Sequence, residues 1–125
     1  MDLRNVVVAI SGASGSIYGI RVLQMLRQVE DVNSHLVITP SAKSTIGVET
    51  EYSVSEIEEL ADEVHSARDI GASIASGSFK TVGMIVAPCS IKTLSAIANS
   101  FGADLVSRAA DVTLKERRPL VLMVR

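Results

Sequence analysis

The sequence predicts an α/β domain, a mostly parallel sheet covered by helices, formed by all 125 residues. Three observations carry that expectation. Short unbroken runs of Val, Ile and Leu recur along the chain, which is how strands covered on both faces read. Each early run is followed by a turn of small and hydroxyl residues and then by helical spacing, the alternation typical of parallel sheets. Aromatic residues make up only 3% of the chain, with no Trp, so the core has to be aliphatic.

The elements follow in order. Val6-Val7-Val8-Ala9-Ile10 is β-branched and unbroken, a buried strand. Ser11-Gly12-Ala13-Ser14-Gly15 is a turn, and Ile17, Ile20, Val22, Leu23 and Leu26 then fall on a helical face. A second strand is expected over residues 35–39; Pro40 stops it and suits a helix start, so a helix is placed over residues 41–48. Val54, Ile57, Leu60 and Ala61, interleaved with Glu, describe an amphipathic surface helix that Ser53 or Ser55 could cap.

Residues 67–82 are rich in Gly, Ala and Ser with weak periodicity and read as loop, with room for a short helix. Met84-Ile85-Val86-Ala87 is the next buried strand, ended by Pro88. After the Pro88-Cys89-Ser90 turn, Ile91, Leu94, Ile97 and Ala98 mark a helix. Residues 106–117 read as another helix, and Leu120-Val121-Leu122-Met123-Val124 as a strand that looks central. A central strand needs cover, so the expectation is a chain that continues past Arg125 or a neighbouring chain that covers it.

Charge and apolar patterning narrow the function. Lys plus Arg number 12 against 14 for Asp plus Glu, a net charge of −2, so no global field draws nucleic acid or an anionic membrane. Any bound anion needs a local site. The longest apolar runs fall far short of the roughly 20 residues of a membrane-spanning helix. Met1-Asp2-Leu3-Arg4 does not open a secretory signal, and the lone Cys89 cannot form an intrachain disulfide, so a cytoplasmic location is expected. His35 and His65 lie far apart and there is no second Cys, so no metal site is expected.

In an open parallel sheet, ligands bind beyond the carboxyl ends of the strands. Three turns with small and hydroxyl residues fall there: residues 11–16, 39–41 and 89–93. Amide N–H groups at a helix start carry partial positive charge, and small residues let a phosphate approach them. Gly12, Gly15 and Gly19 do not have the G-x-G-x-x-G spacing, and the Gly-Lys-Ser/Thr ending of a P-loop is absent. A mononucleotide such as FMN therefore fits better than NAD or ATP; the alternative is that these glycines only shape tight turns.

Three blocks, Val8-Ala9-Ile10-Ser11-Gly12-Ala13-Ser14-Gly15-Ser16-Ile17-Tyr18-Gly19, Ala87-Pro88-Cys89-Ser90-Ile91-Lys92-Thr93-Leu94 and Arg108-Ala109-Ala110-Asp111-Val112-Thr113-Leu114-Lys115-Glu116-Arg117-Arg118-Pro119-Leu120, resemble the UbiX-type flavin prenyltransferases. That family was formerly described as 3-polyprenyl-4-hydroxybenzoate carboxy-lyases. The resemblance spans residues 5–125. It implies a flavodoxin-like (Rossmann-like) three-layer sandwich, with residues 1–125 as a single FMN-binding flavoprotein domain lacking the family's C-terminal segment. It also implies an enzyme that moves a dimethylallyl group from dimethylallyl phosphate to N5 and C6 of reduced FMN, without a metal. The product, prenylated FMN, would serve UbiD-type decarboxylases in ubiquinone biosynthesis or aromatic acid decarboxylation. The family's dodecameric assembly implies a homo-oligomer with active sites at subunit contacts.

By motif position the resemblance assigns FMN contacts to Gly12, Ala13, Ser14, Thr39, Ser90, Ile91, Lys92, Thr93 and Arg125. It assigns catalytic roles to Glu49, Ser14, Lys115 and Arg108, with Lys115 and Arg125 near the phosphate of the prenyl donor. These assignments suit the chemistry. A leaving phosphate needs positive charge where its own charge develops, and removing a proton as the second bond closes suits a carboxylate such as Glu49.

Each residue also has a plainer reading. Ser14 could cap a helix, and Glu49 could be a solvated charge. Lys115, Arg117 and Arg118 could complement a helix dipole. Cys89 reads as a packed small residue. Two other functions stay open: a non-catalytic flavin-binding subunit, and a flavoprotein that decarboxylates peptidyl or phosphopantothenoyl cysteine.

Overall fold

The computed structural model describes residues 3–125; Met1 and Asp2, read above for the absence of a leader, lie outside the described residues. Five strands, β1 (Arg4–Ile10), β2 (Val32–Ile38), β3 (Glu63–Ser66), β4 (Gly83–Cys89) and β5 (Leu120–Val124), form one sheet in the order β3-β2-β1-β4-β5. All four pairings are parallel. With the short edge strand β3 set aside, the order is that of a doubly wound flavodoxin-like sheet.

Helices cover both faces. The first three, α1 (Ser16–Leu26), α2 (Pro40–Glu49) and α3 (Val54–Leu60), bury Ile20, Leu23, Ile46 and Ile57 against Val6, Val8, Ile10, Leu36 and Ile38. On the other face α4 (Ile91–Ala98), α5 (Leu105–Lys115) and a single 3-10 turn at Ser73–Ala75 pack against Val7, Ala9, Val37, Met84 and Val86. Residues alternate between the two cores along β1, as a doubly covered strand requires. Each fully buried Leu or Ile contributes roughly 1.5–3 kcal/mol.

The helix starts follow local chemistry. Thr39 caps α2, which has Pro40 in its first turn, and Ser90 caps α4. Ser53 with Glu56, and Asp104 with Ser107, close reciprocal capping boxes on α3 and α5.

Three expectations need correction. Pro88 does not end its strand: β4 passes through a cis Ala87–Pro88 bond and pairs again at Cys89 with Val124, after a register shift. Pro88 has no N–H to give, but its carbonyl accepts the Ser11 amide at 3.2 Å and keeps the strand tied to β1. The last strand, β5, is not central among the described strands: it is the outer one, paired with β4 alone, and Val121 and Val124 are exposed.

The third difference is β3, which the residues 61–66 did not announce. What places it is long-range. Asp62 accepts the Ser34 amide at 2.8 Å, and His35 meets His65 ring nitrogen to ring nitrogen at 2.9 Å. His35 is buried, with Phe79 edge-on to its ring, and burial pushes its pKa below the usual histidine value. The two histidines are thus neighbours in space. Among the described residues, no His, Cys, Asp and Glu side chains gather into a metal-holding group, and no helix is long and apolar enough to cross a membrane.

One glycine sets how closely α1 approaches the sheet. A Cβ on Gly19 would land on the Ala87 carbonyl oxygen and on the Ile10 side chain. Gly19→Ala should therefore cost about 1–3 kcal/mol, the usual penalty of overpacking. Chemical denaturation checks this, and a variant as stable as the parent would contradict the packing.

Candidate functional site

The site lies at the carboxyl ends of β1, β2 and β4, where the chain, having run outward through β2 and β3, crosses back to the other side of β1. Such a switch point opens a crevice in doubly wound sheets. Ser11, fully buried at the tip of β1, locks two of the three turns together. Its hydroxyl donates to the Pro88 carbonyl at 2.8 Å and accepts the Ser90 amide at 2.8 Å. On the other side the Thr39 amide donates to the Ile10 carbonyl at 3.1 Å. Gly12 then runs against Ser41 so tightly that a Cβ would overlap the serine side chain.

Two groups of residues result. The first surrounds a hollow of about 760 Å³, lined by Thr39, Pro40 and Ser41 at the start of α2 and by Ser90, Lys92 and Thr93 at the start of α4. That volume is ordinary for a drug-sized ligand. Both helices aim their N-termini at it, and their caps are ordered: Thr39 Oγ1 accepts the Ala42 amide at 3.2 Å, and Ser90 Oγ accepts the Thr93 amide at 3.1 Å. Helix geometry leaves the Ile91 and Lys92 amides without an intrahelical partner. Hydroxyls, free amides and one Lys suit a phosphate ester. The Ile91 side chain is exposed and does not line the hollow.

The opposite wall was not anticipated. Asn99, Phe101, Asp104 and Ser107 come from the end of α4, the link to α5 and its first turn. One sequence signal was available: Asp104 and Ser107 have capping-box spacing, which places a helix start, and hence a site-facing end, at this link.

The second group gathers at the start of α1. Gly15, at φ 106°, is the N-cap and offers no side chain. Glu49, the last residue of α2, takes over: its carboxylate accepts the Gly15 amide at 3.0 Å and the Ser16 amide at 3.3 Å. These amides, foremost that of Gly15, and the Ser14 side chain hold the exposed Glu49 carboxyl below its usual pKa. An anion so held adds stability above the ordinary glutamate range, and that stability is lost as pH falls through the lowered value. Arg125 reaches the same corner, its guanidinium 5.4 Å from the centroid of the Tyr18 ring and its amide donating to the Cys89 carbonyl at 3.1 Å. Gly12, Ala13 and Ser14 belong to this corner and do not line the hollow.

Two expected residues lie apart. Arg108, exposed on α5, donates through Nε to the Gly102 carbonyl at 3.1 Å, between Phe101 and Ala103 of the far wall, and does not itself line the hollow. Lys115 stands eight residues beyond Ser107, roughly 12 Å further along α5 and toward the amino ends of the strands. Cys89 is buried, and desolvation raises its thiol pKa, which makes it a packing residue rather than a nucleophile.

Ser11→Ala removes the bridge, leaves the Ser90 amide without a partner and leaves the Pro88 carbonyl with the backbone amide of residue 11 alone. A loss of about 1–3 kcal/mol in unfolding free energy is expected, and an unchanged denaturation midpoint would show that the turns do not depend on Ser11.

Comparison with known proteins places this geometry in a family. A family model described as Flavoprotein matches residues 1–124. The flavin prenyltransferase UbiX of Escherichia coli K12 is 58% identical over 123 residues, which cover 98% of this chain and 65% of that protein. A crystal structure described as AnUbiX (PadA1) in complex with FMN and dimethylallyl pyrophosphate superposes with a TM-score of 0.96 at 52% identity, over 98% of this chain and 65% of the other. The dodecameric FMN-dependent UbiX-like decarboxylase of Escherichia coli O157:H7 gives a TM-score of 0.95 at 49% identity, over 97% and 65%. The chain thus spans about two thirds or slightly less of the length of these relatives. With that match along nearly its whole length, and with hydroxyl-lined turns at the switch point of a doubly wound sheet, the chain belongs to the Flavoprotein family.

Proposed function

We propose that this protein is a flavin prenyltransferase, which joins the dimethylallyl group of dimethylallyl phosphate to N5 and C6 of reduced FMN in the cytoplasm. The observation that carries the reading is the pairing of a hydroxyl-lined hollow with a carboxylate corner at one sheet edge, supported by the similarity to named flavin prenyltransferases. Residues 1–125 are then the flavin-binding part. The recipient of the product is a UbiD-type decarboxylase, and the working form is a homo-oligomer.

The two groups divide the labour. The α1 amides already hold Glu49, so the FMN phosphate is assigned to the α2 and α4 starts, with Thr39, Ser90, Ile91, Lys92 and Thr93 as its partners. Gly12, Ala13 and Ser14 give the flavin a close approach to the first turn. Bound and reduced, FMN supplies the electron-rich ring positions that receive the prenyl group. Glu49 and Ser14 then sit where a proton is to be taken, and Glu49 is held in the ionised form that accepts one.

The donor phosphate needs cations. Arg125 is at the corner, while Arg108 of the same chain is engaged with the Gly102 carbonyl and Lys115 stands at the far end of α5. Their assignment to the donor site therefore requires presentation by a neighbouring copy, which is a reason to expect the oligomer. No metal enters this scheme.

Anaerobic incubation of the intact protein with reduced FMN and dimethylallyl phosphate, followed by mass spectrometry of the flavin, tests the reading. The expected product is flavin heavier by one five-carbon prenyl unit. Glu49→Gln should retain FMN but slow product formation on the order of 100-fold, the usual weight of a positioned base. Unaltered flavin would overturn the proposal: bound but unreacted flavin indicates a binding subunit, and release of carbon dioxide from a peptidyl cysteine in a separate incubation with oxidised FMN, which takes up the two electrons, indicates the decarboxylase class.

A further inference from the structure

The helix starts differ in one respect. Side chains from their own N-cap residues close α2, α3, α4 and α5, through Thr39, Ser53, Ser90 and Asp104. At α1 the N-cap is Gly15, and the cap comes from Glu49, thirty-four residues away. Immediately inside this start is Ser16, fully buried, whose hydroxyl has no partner in good hydrogen-bond geometry yet lies close enough to the Glu49 carboxylate to add, as the smallest contribution, to the lowering of its pKa. A buried hydroxyl without a partner is costly and uncommon, and asks for an explanation. Its own amide already donates to Glu49 Oε1, so the nearest strong acceptor is that carboxylate.

We propose that Ser16 is a positioning residue for Glu49, its hydroxyl turning onto the carboxylate as a further donor beside the Gly15 and Ser16 amides and the Ser14 side chain. The importance of Glu49 rests on the prenyltransferase reading; the contact itself does not. A hydroxyl needs only rotation about χ1 to change partner, and a carboxylate has about four acceptor positions, of which the two amides share one oxygen. The consequence is a glutamate fixed in place by the first turn of α1, with its proton affinity lowered by neutral donors. No charged side chain is among the causes of that lowering. The titratable groups around the corner are Tyr18 on α1, Arg125 after β5 and Glu51 two residues along the chain.

The contact also joins the end of α2 to the start of α1. Anything that pulls Glu49 away leaves four donors without it, the Gly15 and Ser16 amides and the Ser14 and Ser16 hydroxyls. Ser16 therefore favours the held position of Glu49 over a solvated one.

The test is an NMR titration of the Glu49 side-chain carboxyl carbon in the flavin-free intact protein, parent against Ser16→Ala. The parent should titrate below the ordinary glutamate midpoint, and Ser16→Ala should move the midpoint up by about half a unit, roughly a threefold rise in proton affinity. Ser16→Thr, which keeps the hydroxyl, should restore most of the shift, an outcome that a purely packing role would not produce. An unchanged midpoint in a folded Ser16→Ala protein would overturn the proposal, as would equal shifts in the Ala and Thr variants. Because no flavin is present, the outcome is independent of the mass measurement. A shifted midpoint without prenyl transfer would remove the function and keep the contact, and the reverse result would remove the contact and keep the function.

Discussion

Everything at the ligand edge depends on β1 lying between two parallel neighbours in a single register. Ile10 pairs with Ile38 on one side, and Ala9 with Val86 on the other. That register brings three carboxyl ends to one height, so the turns that follow them meet. Ser11 makes the meeting specific, because one small hydroxyl serves a carbonyl and an amide of the neighbouring strand end. A slip of one residue would turn the alternation of β1 inside out, exchanging the two cores and removing Ser11 from its partners.

The chemistry of the site follows from helix ends more than from side-chain charge. The chain carries a net charge of −2 and has one Lys on the wall of the hollow, so anion binding has to come from oriented amides and hydroxyls. Those of α2 and α4 face the hollow. The Gly15 and Ser16 amides at the start of α1 are taken by Glu49, and under the proposed function this separates a phosphate-holding part from a proton-handling part. The same carboxylate therefore closes a helix and is available to accept a proton, which couples local stability to the proposed chemistry.

The parts legible in the sequence are those whose cause is local. The strand at residues 6–10 is readable because both faces are covered, and α2 because Thr39 and Pro40 mark its start. The three turns could be recognised as a ligand edge from their small and hydroxyl residues alone. What escaped has its cause elsewhere in the chain. Glu63 to Ser66 become a strand through Asp62 bonding to Ser34 and His65 to His35. Pro88 stays within β4 because Ser11 uses its carbonyl. Asn99 and Phe101 line the hollow only because the link between α4 and α5 returns to the sheet's carboxyl edge. Glu49 entered through family likeness; its seat on the α1 amides is a contact between residues thirty-four apart, which no local pattern reveals.

The central claim is that the α2 and α4 starts form the phosphate seat. Binding of FMN and of riboflavin, which lacks the phosphate, measured by isothermal titration in the parent and in a Ser90→Ala/Thr93→Val double variant, tests it most directly. The account predicts that the parent prefers FMN by about 100-fold or more, the weight of a few charge-assisted hydrogen bonds, and that the double variant loses most of this preference while its affinity for riboflavin barely changes. Equal affinity of the parent for the two flavins, or an undiminished preference in the double variant, would contradict it.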